Sequence, residues 1–199
     1  GLPTEREAIF SYFATQIFER LPQPTRHFLV STAVLPQVPV SLARELTGNT
    51  GAQEILEDLY RRHLFTHRRP AREPTYWYHA LFREFLKGKA SSILSQESLR
   101  DVERRAARLL EARADFDDAF QLFHDAGDWP AARRLIERHA QALLAQGRGQ
   151  TLRDWVLALP SGVLEDAPWL RYWLGSSLIP LDQVQARSHL ERAFGQFAA

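Results

Sequence analysis

The sequence predicts a mainly all-α chain, interrupted once, early, by a small β-hairpin. Three observations predict it. Apolar residues return at helical spacing through most of the chain. The period shortens to two only between Leu64 and His79. Beyond Ser95, helix pairs recur every ~30–38 residues. Three helices, a hairpin and flanking helices are the order of a winged-helix domain, placed over residues 1–95. The recurring pairs are those of a degenerate tetratricopeptide-like helical repeat, placed over residues 96–199 as an incomplete segment.

Thr4 and Glu7 have capping-box spacing and open the first helix. Ile9, Phe10, Phe13 and Ile17 follow on one stripe, which stops at Pro22 and Pro24. A second helix is expected from Thr25 to Leu35, burying Phe28, Leu29 and Ala33, with Pro36 and Pro39 as punctuation. Ser41 to Leu46 makes a short helix closed by Thr47-Gly48. Gly51 to His63 makes another, with Ile55, Leu56, Leu59 and Tyr60 as its apolar face.

Leu64-Phe65-Thr66-His67-Arg68 reads as a strand, Arg69 to Pro74 as a loop, and Thr75-Tyr76-Trp77-Tyr78-His79 as the returning strand. Aromatic and β-branched residues fit a pleated, half-buried surface. Ala80 to Leu94 returns to helix, with Leu81, Phe82, Phe85 and Leu86 inward. Further helices are expected to start near Gln96, Phe116, Trp129, Thr151, Ala167 and Asp182.

Asp128 and Asp166 each precede a proline by two residues and read as N-caps, because proline in a first turn forfeits no hydrogen bond. Phe116, Ala119, Phe120 and Phe123 form one stripe; Leu135, Ile136, His139, Ala140 and Leu143 form another. Val184, Leu190, Ala193 and Phe194 give the last helix an apolar face, from which the array is expected to continue.

Composition narrows the function classes. The chain is 45% hydrophobic, which is ample for a packed core and excludes a disordered chain. Its net charge of +1 points to no polyanionic partner. The first 95 residues carry 12 Arg and Lys against nine acids, and the remainder 13 against 15. With Cys 0, disulfides, Cys-type zinc sites and thiol nucleophiles are excluded. The apolar runs are too short to span a bilayer, and no secretory leader is read at the start, so a cytoplasmic location without membrane partners is expected. A chain of this length with Met 0 reads as an excerpt of a larger protein.

Most constellations with chemical content fail on spacing. Gly88-Lys89-Ala90 lacks the upstream glycine and following Ser/Thr of a phosphate loop. His63 and His67 have no carboxylate between Asp58 and Glu73 to complete a metal site. Asp115, Asp117 and Asp118 begin like a calcium loop, but Ala119 and Phe120 stand where a ligand and glycine are needed. Gly175-Ser176-Ser177 is not a nucleophile elbow. No metal site, cofactor or enzymatic activity is expected of this chain itself.

The wing is the richest surface. Arg61, Arg62, Arg68, Arg69 and Arg72, with His63 and His67, fall in one stretch without an acid. A winged helix can lay such a stretch on DNA phosphates. The candidate recognition helix, however, carries Glu54, Glu57 and Asp58 on its polar face, which would meet the phosphate wall. A solvated or domain-docking wing is therefore the preferred reading, with DNA binding as the alternative. Trp169, Tyr172 and Trp173 are candidates for a ligand or peptide face, which the further alternative, a helical-repeat scaffold for protein interaction, would require; such aromatics more often pack between adjacent helices.

The segments resemble, in order, those of the large ATP-binding LuxR-type regulators, the maltose-activator-like branch of the STAND ATPases. The residues that carry the resemblance are Ile9-Phe10-Ser11-Tyr12-Phe13 leading to Leu21-Pro22, Phe28-Leu29 with Ala33-Val34-Leu35-Pro36, Leu64-Phe65, and Tyr76-Trp77-Tyr78-His79-Ala80-Leu81-Phe82. Ala126-Gly127-Asp128-Trp129, Leu135-Ile136-Glu137 and Trp155-Leu157-Leu159-Pro160 continue it.

The resemblance implies the middle of a cytoplasmic transcriptional regulator: a winged helix and the start of an inducer-sensing helical array. Its partners would be its own ATPase domain and a C-terminal DNA-binding domain. A small-molecule or protein inducer and self-association would complete the switch. ATP and ADP would bind in the parent protein. The resemblance also implies that His79 touches the ADP phosphate in the resting state. Ala80 stands where related proteins often carry His or Asp.

Overall fold

A computed structural model describes residues 5–198, with side chains from Ile9 onward. Its elements in chain order are α1 (Glu5–Glu19), α2 (Gln23–Thr32), β1 (Val38–Pro39), α3 (Val40–Thr47), α4 (Ala52–Arg61), β2 (Thr66–Arg69), β3 (Thr75–Tyr78) and α5 (Ala80–Ile93), followed by α6 (Gln96–Ala112), α7 (Phe116–Asp125), α8 (Trp129–Ala145), α9 (Gly149–Ala158), α10 (Ser161–Glu165), α11 (Pro168–Leu178) and α12 (Gln183–Phe197). The class is the predicted one: a winged helix followed by helical hairpins. The Thr4–Glu7 capping box lies outside the described residues.

Two compact units are present, one reaching Leu122 and the other beginning at Phe123, within α7. Ser95, where the sequence places the change of architecture, caps α6 by accepting from the Ser98 amide at 3.1 Å. α6 then packs on α3, where Arg113 Nη2 donates to Glu45 Oε1 at 2.9 Å and Arg105 donates to the Glu45 carbonyl at 3.2 Å. These contacts carry the first unit past residue 95.

The core of the first unit joins Phe28 and Leu29 of α2, Leu42 and Leu46 of α3, Leu56 and Leu59 of α4, and Phe82 and Leu86 of α5. Burying each such side chain contributes about 1.5–3 kcal/mol. The stripe of α1 is rotated from the expected one. Ala14 and Phe18 are buried, while Ile9 and Phe13 are 53% and 57% exposed. The line Phe10, Ala14, Phe18 faces α5, where the Phe18 ring lies 5.7 Å from Phe85. Leu81 and Tyr60, expected inward, also reach the surface. The buried lines run through Phe82, Leu86 and Ala90 of α5, and through Ala52, Leu56 and Leu59 of α4, with Leu81 and Tyr60 one position off them.

The hairpin has a third strand. β1 pairs with β3, giving an antiparallel sheet in the order β1-β3-β2. Pro39 is tolerated because β1 is an edge strand. β2 starts later than expected. The chain reverses through His63 and Phe65, whose φ angles of 52° and 50° lie in the left-handed region that few non-glycine residues adopt. Phe65 therefore leaves the strand and turns its ring toward Phe10 (4.7 Å) and Phe82 (5.3 Å).

In the second unit, α8 packs on α9, and α11 packs on α8, α9 and α12. Ala132, Leu135, Ile136 and Ala140 of α8 and Leu152, Trp155 and Val156 of α9 are buried, as are Leu170 and Leu174 of α11. Asp128 caps α8 by accepting from the Ala131 amide at 3.2 Å. Asp166 does not cap α11; it ends the short helix α10, which the sequence reading missed, and Ala167 takes the cap position without a side-chain bond. On α12, Ala186 and Ala193 face inward, but Val184 and Phe194 are 81% and 75% exposed. α12 crosses α11 at Gly175, where an added Cβ would stand only 2.9 Å from Leu190 Cγ and 3.1 Å from the Ala186 carbonyl oxygen. Among the described residues, no helix is long and apolar enough to cross a membrane.

Candidate functional site on the winged helix

Period two decides which residues share a face of the sheet. Tyr76 and Tyr78 of β3 turn inward and are buried. Opposite them in register stand Arg68 and Thr66 of β2. The outer face receives His67 paired with Trp77, their rings stacked at 5.5 Å. His79 follows Trp77 on that same alternation. Its ring lies 6.3 Å from His67 and 6.3 Å from Phe10. The structure thus gathers His79, His67, Trp77 and Phe10 at one exposed corner, next to the Ile9 and Phe13 turns of α1.

His79 is also the first half-helical residue of α5. Its amide donates to the Phe65 carbonyl at 2.7 Å, and its own carbonyl accepts from Arg83. Its side chain does not cap the helix. Among the described residues, no acceptor meets the amides of Ala80, Leu81 and Phe82. A helix start with free N–H groups carries partial positive charge and is suited to an anion. At its other end the corner is held firmly: Arg83 donates from Nε to the Ala33 carbonyl at 2.9 Å and from Nη2 to the Val34 carbonyl at 3.1 Å.

The basic wing is largely neutralised from within. Arg61 pairs with Glu57 at 3.0 Å, Arg62 with Asp58 at 3.2 Å, and Arg68 with Glu57 at 3.2 Å. The Arg68 guanidinium also lies 5.9 Å over the Tyr60 ring. Arg69 and Arg72 are exposed and form no ion pair among the described residues. Of the carboxylates that the sequence set against DNA phosphates, Glu57 and Asp58 are thus engaged with arginines of the same module. The Tyr76 hydroxyl donates to Glu57 Oε2 at 2.7 Å. That bond, ahead of the opposing effect of burial, holds the Glu57 carboxyl below its ordinary range.

One residue of the wing loop went unnoticed in the sequence. Glu73 Oε1 accepts from the Ser41 amide at 2.7 Å, capping α3, whose own cap position is a proline. Its carboxyl is held below the usual range, first by its hydrogen bond with Ser41. Glu followed by Pro in a loop gives no local sign of a cap 32 residues away.

In the second unit, Trp169, Tyr172 and Trp173 come together, with Tyr172 and Trp173 at 4.9 Å between ring centroids. Phe197 of α12 joins them, 4.9 Å from Trp169. Trp169, Tyr172, Leu190, Phe194 and Phe197 line an open groove of about 600 Å³, with Glu191 at its edge.

A family model described as the MalT winged helix domain matches residues 14–98. The match takes in α2 to α5, the three-stranded sheet, the wing and His79. This segment is similar to the winged helix of a MalT-like regulator.

Proposed function

We propose that the chain is the regulatory middle of a LuxR-type, maltose-activator-like ATPase that controls transcription, and that it is not itself an enzyme. The winged helix would close on an ATPase domain, and the helical hairpins, read as a tetratricopeptide-like array, would sense an inducer. The observation that carries this reading is the exposed His79 at the uncapped start of α5, inside the matched segment.

The donor set suits a phosphate. The amides of Ala80, Leu81 and Phe82 supply N–H groups and the helix supplies partial positive charge. The His79 imidazole adds a further donor. ADP bound in the ATPase domain would supply the anionic phosphate that joins the two domains. His79 and the α5 amides would hold that phosphate and keep the winged helix closed. The exposed apolar residues Ile9 and Phe13 and the stacked Trp77 fit a docking face around that contact. With Arg61, Arg62 and Arg68 already paired, the wing suits domain docking better than a DNA backbone. The groove lined by Trp169 and Tyr172 is the face offered to an inducer.

Closure and opening are one equilibrium. Inducer and ATP must both prefer the open, self-associating form if either is to favour the other. His79→Ala in the full-length regulator is expected to speed ADP release and raise basal transcription. An unchanged ADP off-rate in that variant rejects the reading. Extending the reading frame is the cheaper check: a phosphate loop upstream and a helix-turn-helix downstream are expected.

A further inference from the structure

We propose that α12 pairs antiparallel with α12 of a second copy of this chain. The pairing does not rest on the function proposed above. α12 packs on α11 with Ala186 and Ala193 buried. To one side of that contact runs a stripe of Val184, Arg187, Glu191 and Phe194, all exposed. Val184 and Phe194 are the two most exposed large apolar residues among those described. Their spacing of three, four and three is that of two successive a and d positions of a heptad. Ser188 and Gly195 flank the stripe with little or no side chain, so a second helix can come close. On its other flank, open grooves of about 600 and 240 Å³ share Leu190 and Glu191 and follow α12 from Gln183 to Phe197.

The order of residues in the stripe makes it complementary to itself. A two-fold axis level with His189 sets Val184 opposite Phe194 of the second copy, and Arg187 opposite Glu191 of the second copy. Each contact then occurs twice, as in any interface that one surface makes with its own copy. Within one chain, Arg187 Nε donates to Glu191 Oε1 at 2.6 Å on an exposed face. In the pair, the four charges close into a ring of alternating sign. A parallel arrangement would set Arg187 against Arg187 and Glu191 against Glu191, and repulsion rejects it. A slip of one heptad would set Val184 against Arg187, or Phe194 against Glu191. The charged layers cost some affinity and in return fix one direction and one register.

The test is sedimentation equilibrium of the 199-residue chain at pH 7 and physiological ionic strength. A reversible equilibrium between a 22.9 kDa monomer and a dimer of twice that mass is expected. Its Kd should be roughly 10–100 μM, in keeping with an interface of one helix pair. Glu191→Arg and Arg187→Glu each set like charges opposite one another, and each should weaken association by about tenfold or more. The double variant R187E/E191R restores opposite charges and should return the Kd to that of the parent. Both side chains are exposed, so the fold is retained in every variant, and far-ultraviolet circular dichroism checks this. A chain that stays monomeric across that range overturns the proposal and assigns the stripe to a different helix. A dimer that neither single variant weakens also overturns it, as does a double variant no tighter than the singles.

Discussion

The Tyr76 hydroxyl on β3 donates to the Glu57 carboxylate on α4 at 2.7 Å. The same carboxylate takes Arg68 of β2 and Arg61 of its own helix. One acid thereby ties the helix before the wing to both strands of the hairpin. Burial, and then the bond to Glu57, push the Tyr76 hydroxyl up to about 12, while Glu57 is held low. Opposite shifts in donor and acceptor are what a bond to a charged acceptor produces.

Tyr76→Phe keeps the buried ring and removes the donor. A loss of about 1 kcal/mol in urea unfolding at pH 7 is expected. Glu57 contributes stability above its unfolded value of 4.5, and that stability is lost as pH falls through its lower folded value. The variant should therefore lose less stability than the parent between pH 5 and pH 3 or so. An identical acid limb in the two proteins would refute the assignment.

Thr32 and Tyr78 make the buried counterpart of that tie, their hydroxyls 2.7 Å apart. Burial raises the Tyr78 hydroxyl well above its ordinary range, so it stays protonated and needs a partner. Thr32→Val leaves it without one, in a fully covered site. The expected cost is about 1–3 kcal/mol, measured as a shift in urea midpoint at constant slope. Thr32→Ser, which retains the hydroxyl, should recover most of it.

His189 sets a pH dependence of opposite chemical origin. Burial, then Arg171 and Arg192, hold its pKa below the ordinary 6.5. Protonation therefore favours the unfolded chain. The contribution is intact above pH 6.5 and is lost as pH falls from there through the folded value. Unfolding followed from pH 8 to pH 5 should show this loss, and His189→Gln should remove that part of it. A parent and variant with superimposable profiles would mean that His189 titrates normally.

The His79 corner was legible because its signals are local. Alternating aromatics through Tyr78 announce a strand, and Phe82 with Leu86 announces a helix, so His79 falls at the junction. β1 was illegible because two residues ending in proline carry no period. The face of α1 was ambiguous for a different reason. Ile9, Phe10, Tyr12, Phe13, Ile17 and Phe18 put apolar groups on more than one side, and only packing against α5 chooses among them. The pairing of Glu57 with Tyr76, 19 residues away, and of Glu73 with Ser41 depends on how the sheet brings segments together. No local spacing encodes either.

Gly175 stands one turn from Arg171 on α11, where the backbone comes close enough to Leu190 and Ala186 to leave no room for a methyl group. Glycine there sets the spacing of the two helices: a side chain could enter only if α12 moved away from α11, drawing Phe197 off Trp169.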